Sequence, residues 1–141
     1  MDMWQALIGK HDSVSVLGDS CFNVVGAEKF KKLSGDKILI MGNHDPAITT
    51  MQKYFGCVKA MDMKSVDGFH VIMTHIPIHF DQMERWHLNI HGHLHMRTLD
   101  DPRYFNSSIE AINFKPITLE EILMDITKRA WGERPKPEAI R

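Results

Sequence analysis

Nine histidines occur in the 141 residues, and seven of them fall between His70 and His95. Imidazole serves as a metal ligand, an acid or base, and a pH-sensitive group, so such a cluster points to site chemistry. These histidines are neither contiguous nor terminal, unlike an expression tag. Asp19 follows SVSVLG; Asn43, His44 and Asp45 follow KILIMG; His75 follows FHVIMT; His93 and His95 follow the run Trp86 to Ile90. Carboxylate, amide oxygen and imidazole together suit a divalent ion such as zinc, manganese, iron or nickel, with no sulfur required. Cys21 and Cys57 form no CxxC pair and fit a reducing compartment.

Each candidate ligand stands at the end of a segment that reads as a strand. In open α/β sheets ligands bind outside the carboxyl ends of strands, so parts distant in sequence converge on one edge. Ser13 to Leu17 alternates polar and β-branched residues and stops at Gly18. Lys37 to Met41 is a continuous apolar run, expected of a strand covered on both faces. Val58 to Val66 and Phe69 to Thr74 flank Asp67-Gly68, the signal for a hairpin. Trp86 to Ile90 is a further strand candidate, and Tyr104 to Ile112 is expected as another strand or a hairpin. Helices are expected over Asp2 to Gly9, Ala27 to Leu33, Ala47 to Phe55 behind Pro46, and Leu119 to Ile126 behind the capping pair Thr118 and Glu121. The tail from Trp131, with Pro135 and Pro137, reads as an extension.

At this length one core is expected, not two. The content of 43% hydrophobic and 25% charged residues is that of a globular domain and excludes disordered or fibrous chains. Seventeen basic against 18 acidic residues give a net charge of -1 and no broad basic face for nucleic acid. No apolar run approaches the roughly 18 residues of a membrane span, and no signal-peptide core is present, so a cytoplasmic protein is expected.

Gly18-Asp19, Gly42-Asn43-His44-Asp45, Thr74-His75 and Gly92-His93-Leu94-His95 occur in the order and rough spacing of the calcineurin-like metallophosphoesterase superfamily. The flanking strings DSVSVLGDS, LSGDKILIMGNHD and RYFNSSIEAINFKPITLEEI resemble its small bacterial and phage members, and the resemblance runs over residues 4 to 124. It implies an α/β fold: a sandwich of two mixed sheets flanked by helices, with a hydrolytic site for two ions. One ion would take Asp19, Asn43, His75 and His93; the other would share Asp19 and take His95. The family completes the second set with an N-terminal DxH motif, and no D-x-H precedes Asp19. Asp12 lies about 20 Å from Asp19 along an extended strand, too far to substitute; Asp2 is the better candidate of the two, since a first helix that crosses over runs back from the site edge.

The resemblance thus implies a truncated domain at residues 1–128 lacking its first strand, a tail at 129–141, one well-formed metal site and one incomplete site. Ions in such a site clamp phosphoryl oxygens and acidify a water that attacks phosphorus in line. His44 then matches the proton donor to the leaving oxygen, and Asp45 is expected to orient its imidazole. The substrate would be a phosphate mono- or diester, a small molecule or nucleotide, with activity impaired by the missing motif. The alternative is an inactive homologue that keeps metal as a staple or partner surface. Without the first strand, Val14 to Leu17 would present an unpaired edge that invites a homodimer. His91 is expected to support the ligands from behind, His79 to face phosphate or sit in a surface loop, and His70, His87 and His11 to be structural or exposed. Lys64 and Arg97 are expected to be solvated, the ten methionines to fill core space, and Cys21 to be a small loop or core residue rather than a nucleophile.

Overall fold

The computed structural model describes residues 2–131; the side chains of Asp2 and Trp131 and the tail at 132–141, on which two of the expectations bear, lie outside the described residues. The chain is a mixed α/β structure with two sheets. Strands β1 (Ser13–Val16), β2 (Asp36–Ile40) and β3 (Cys57–Lys59) form the first, in that order, with Ser13 opposite Asp36 and Ile38 opposite Cys57. Both pairings are parallel, so this sheet is not mixed as expected.

Parallel neighbours require crossovers. Helix α2 (Val24–Glu28), continued by a 3-10 turn at Lys29–Lys32, connects β1 to β2, and α3 (Ile48–Met51) connects β2 to β3. Their inward side chains Ala27 and Met51, with Phe55 just beyond α3, meet Leu39 and Cys21 in one apolar cluster. Both helices depart from expectation. The Asn23 side chain accepts the Gly26 N–H and starts α2 three residues early. Helix α3 is only four residues long, because Gly56 must already donate to the Lys37 carbonyl to enter β3.

The second sheet has the order β4 (Met61–Val66), β5 (Phe69–Thr74), β6 (Leu88–His91), β7 (Tyr104–Asn106). Asp67 and Gly68 both take positive φ, 50° and 81°, as a tight hairpin turn demands, and β4 and β5 pair antiparallel as expected. The other pairs are parallel, so this sheet is mixed. The run expected as one strand from Val58 to Val66 breaks at Ala60, with its first part in one sheet and its second in the other. Alternation reports which residues share a face, not which strand pairs with them. The strand expected over Tyr104 to Ile112 ends at Asn106, after which turns occupy Ser108 to Lys115 with Asn113 and Phe114 at positive φ.

Helix α4 (Leu119–Ile126) opens on the reciprocal capping of Thr118 and Glu121. It lays Ile122, Leu123 and Ile126 on Phe69, Val71 and Met73 of β5 and on Leu88 and Ile90 of β6. These alternate positions form one face of the sheet. Leu17, just past β1, packs against the same cluster and joins the two sheets. A short α1 (Asp2–Leu7) precedes β1, with the Trp4 indole donating to the Ser34 carbonyl. Among the described residues β1 pairs on one side only, with β2. No described helix is long and apolar enough to cross a membrane.

Candidate metal centre

Two glycines let the loops after β1 and β2 interlock. A Cβ on Gly42 would collide with the backbone nitrogen and Oδ1 of Asp19, and one on Gly18, at φ 82°, would collide with the His75 ring. Across this contact lies Asp45, whose carboxylate accepts the N–H groups of Asp19 at 3.0 Å, Ser20 at 2.7 Å, Cys21 at 3.4 Å and Gly42 at 2.8 Å. The Ser20 hydroxyl donates to it as well, at 2.7 Å. A carboxylate among converging N–H groups makes charge-assisted bonds, stronger than neutral ones.

This corrects the role expected of Asp45. Its oxygens are spent on the neighbouring loop and do not orient the His44 imidazole. His44 is exposed, and its ring lies 5.9 Å from that of Phe22, centroid to centroid. Burial, the largest influence, pushes the Cys21 thiol up, which fits a packing role and not a nucleophile.

Asp19 is held at φ 50°, an uncommon conformation for an L side chain. Its Oδ1 accepts the His44 N–H at 2.9 Å, and its Oδ2 stands 3.3 Å from His75 Nε2. His75 is buried, and its Nδ1 lies 2.7 Å from the Leu17 carbonyl oxygen. A carbonyl can only accept, so Nδ1 carries the proton, and in the neutral ring Nε2 presents a lone pair. Around that Nε2 stand Asn43 Oδ1 at 3.0 Å and His93 Nδ1 at 3.2 Å, besides the Asp19 carboxylate. Ligand atoms of Asp19, His75 and His93 all lie within 4.8 Å of one another. Oxygen and nitrogen lone pairs converging with few hydrogens between them fit a divalent cation, and the Leu17 carbonyl supplies the outer hydrogen bond that ligating histidines ordinarily make.

His95 is not brought into this cluster. Its side chain is 75% exposed, and its Nδ1 pairs with Glu110 Oε1 at 3.0 Å. That hydrogen bond, the largest influence, holds the Glu110 carboxyl below its ordinary value. Asn106 fixes the same loop by donating to the carbonyls of His95 and Arg97. Glu110 and Asn106 were not read from the sequence as site residues. Both lie in the string RYFNSSIEA, but no spacing rule joins position 110 to position 95 across a strand and a turn.

His91 is fully buried, with Nδ1 2.9 Å from the Gly92 carbonyl beside His93. Burial, its largest influence, pushes its pKa down. His87, also buried, accepts the His70 N–H at 2.8 Å, the structural part expected of it. His79 caps the 3-10 turn Phe80–Arg85 and is exposed, so it falls to the surface-loop expectation. His11 and Arg97 are exposed, and Lys64 reaches Asp62 at 3.7 Å. Asp12 accepts the Gly9 N–H at the far end of β1.

The chain is 29% identical over 141 residues to an uncharacterised protein of Methanocaldococcus jannaschii, covering 89% of this chain and 72% of the other. Its fold is shared with a protein of unknown function from Aquifex aeolicus, at TM-score 0.72 and 24% identity over 87% of this chain and 81% of that one. It is also similar in structure to a novel archaeal phosphodiesterase, at TM-score 0.52 and 20% identity over 69% and 67% of the two chains. No family model matches the chain.

Proposed function

We propose that this chain is a divalent-metal-dependent phosphoesterase of the metallophosphoesterase kind, its two sheets packed as a sandwich, acting on a phosphate mono- or diester. The observation that carries the reading is the convergence of Asp19, Asn43 and His93 on the bare Nε2 of a buried His75. The likeness in fold to an archaeal phosphodiesterase supports it.

Asp19, Asn43, His75 and His93 would hold the ion. Bound there, a divalent ion supplies positive charge for the phosphoryl oxygens and makes a bound water more acidic. The remaining work falls to the chain. Asp19 keeps Oδ2 turned to the site because the His44 N–H holds Oδ1. His44, exposed on the turn after β2, gives a proton to the leaving oxygen as the water, its own proton passing to solvent, bonds to phosphorus and the bond from phosphorus to the alcohol oxygen breaks. The substrate is a small phosphoester or a nucleotide, reached without a membrane.

A second reading rests on His95. Turned out to solvent on Glu110, it leaves a second ligand set unassembled, as suits a homologue that holds one ion without turnover. Hydrolysis of p-nitrophenyl phosphate and bis-p-nitrophenyl phosphate in manganese, nickel or zinc separates the two. Turnover by the wild type, reduced on the order of a hundredfold or more in His44→Ala, is expected of the enzyme. Metal bound without turnover in any of the three ions overturns it in favour of the binding protein.

A further inference from the structure

Phe22 is 79% exposed, the most exposed of the large apolar side chains described. Single surface hydrophobics are ordinary, but the placement of this one is not. It follows Asp19 by three residues, and its ring centroid lies 5.9 Å from that of His44. The His44 N–H in turn donates to Asp19 Oδ1 at 2.9 Å, so one residue separates a converging ligand from this ring. The backbone on either side of Phe22 is anchored: Cys21 donates to Asp45, and Asn23 caps α2. The ring is therefore held out in solvent beside His44 by a loop whose backbone is bonded on both sides.

An aromatic face costs nothing to present to a flat apolar group and offers little to a small polar alcohol. We propose that Phe22 is the specificity platform of the site: the phosphoester it serves carries a flat aromatic group on its alcohol side, which packs on Phe22 while the ester oxygen faces His44. The proposal rests on the phosphoesterase reading. An aryl alcohol and a nucleoside both supply such a group, so the substrates are chosen in pairs that differ by the ring.

Steady-state hydrolysis of phenyl phosphate against methyl phosphate, and of adenosine 5′-monophosphate against ribose 5-phosphate, is measured in manganese for wild type, Phe22→Ala, Phe22→Tyr and Phe80→Ala. Taking each variant relative to wild type cancels the intrinsic reactivity of each ester. Phe22→Ala is expected to raise KM about threefold to tenfold for the ring-bearing member of one pair or both, with kcat and the ringless members unchanged. The pair affected identifies the aryl or the nucleoside source. Phe22→Tyr restores the wild-type KM, and Phe80→Ala, on the loop after His75, behaves as wild type.

Equal effects of Phe22→Ala on ringed and ringless esters overturn the platform while leaving the phosphoesterase reading standing. So does a ring-selective loss in Phe80→Ala but not in Phe22→Ala. Equal effects accompanied by a changed mass in light scattering would assign the ring to contact between copies, again against the proposal. Failure of the wild type to hydrolyse any of the four monoesters overturns the platform, and the phosphoesterase reading falls with it only if p-nitrophenyl phosphate and bis-p-nitrophenyl phosphate are refused as well.

Discussion

The carboxylate of Asp45 accepts the backbone N–H of Asp19 at 3.0 Å, across 26 residues of chain. It thereby ties the turn after β1 to the turn after β2 and holds Asp19 at the positive φ that aims Oδ2 at His75. Asp45 is a positioning residue, one step removed from the ligands.

Replacing Asp45 should therefore damage both stability and metal binding. Asp45→Ala removes the acceptor of four N–H groups and a hydroxyl, and a loss of about 2–4 kcal/mol is expected, since these are charge-assisted bonds at partly buried groups. Asp45→Asn, which keeps one acceptor oxygen, should lose less. Urea denaturation measures the first effect. Calorimetric titration of manganese should show an affinity about tenfold to a hundredfold weaker in Asp45→Ala. Unchanged metal affinity would place the Asp45 bonds outside the function of the site.

Gly42→Ala should be severe for a steric reason, although the residue bears no side chain to do chemistry. Its Cβ has no room against the backbone nitrogen of Asp19 or against Asp19 Oδ1, which the His44 N–H holds in place. The two loops must part, and metal binding should fall with stability. Gly68→Ala, in the hairpin turn, meets no atom within 4 Å and should show only the strain of its positive φ, with metal affinity intact. Thermal unfolding with and without manganese compares the two.

Metal should stabilise the wild type. A cation bound only by the folded chain adds about 2.7 kcal/mol at a hundredfold excess over Kd, so Tm should rise with zinc or manganese and fall again with chelator. In His93→Ala and Asn43→Ala the rise should shrink sharply, whereas in His95→Ala it should persist, because His95 faces Glu110 and lies outside the cluster. A rise abolished by His95→Ala would bring that residue back among the ligands.

Acid stability has a readable contribution outside the centre at Asp101. The Arg103 guanidinium, within 2.7 Å of Asp101, holds that carboxyl below its ordinary value through its hydrogen bonds. With the folded pKa below the unfolded one, the contribution is complete above the ordinary carboxylate value of about 3.9 and is lost as pH falls through the depressed folded value. Both groups are partly exposed, so it amounts to less than about 1 kcal/mol. Urea midpoints of wild type and Asp101→Asn should differ at pH 7 and converge near pH 2. A difference persisting at pH 2 would mean that Asp101 acts through packing.

Much of the scaffold was legible because it is local. The Asp67-Gly68 turn, the Thr118 and Glu121 cap and the apolar runs of β2 and β5 each follow from the conformational preferences of a few neighbouring residues. The lengths of α2 and α3 were not legible, since a helix stops where the next strand's hydrogen bonds begin. Nor was the break at Ala60, where one alternating run serves two sheets.

The same division holds at the centre. Residue types, and their position after strand-forming runs, nominated Asp19, Asn43 with His44 and Asp45, His75, and the pair His93 and His95, because ligand chemistry belongs to the side chain and strand ends belong to the local pattern; the narrower set Asp19, Asn43, His75 and His93 came from the family resemblance. Only the tertiary structure decided what their neighbours do. Asp45 and His44 are adjacent in sequence, yet the carboxylate is taken by N–H groups from a loop 25 residues away, which offers more hydrogen-bond donors than one imidazole can. His93 and His95 are two residues apart, yet one turns to His75 and the other to Glu110. Both residues have positive φ, so the regular alternation of an extended strand does not apply to them, and each side chain's direction is set by what packs around the turn.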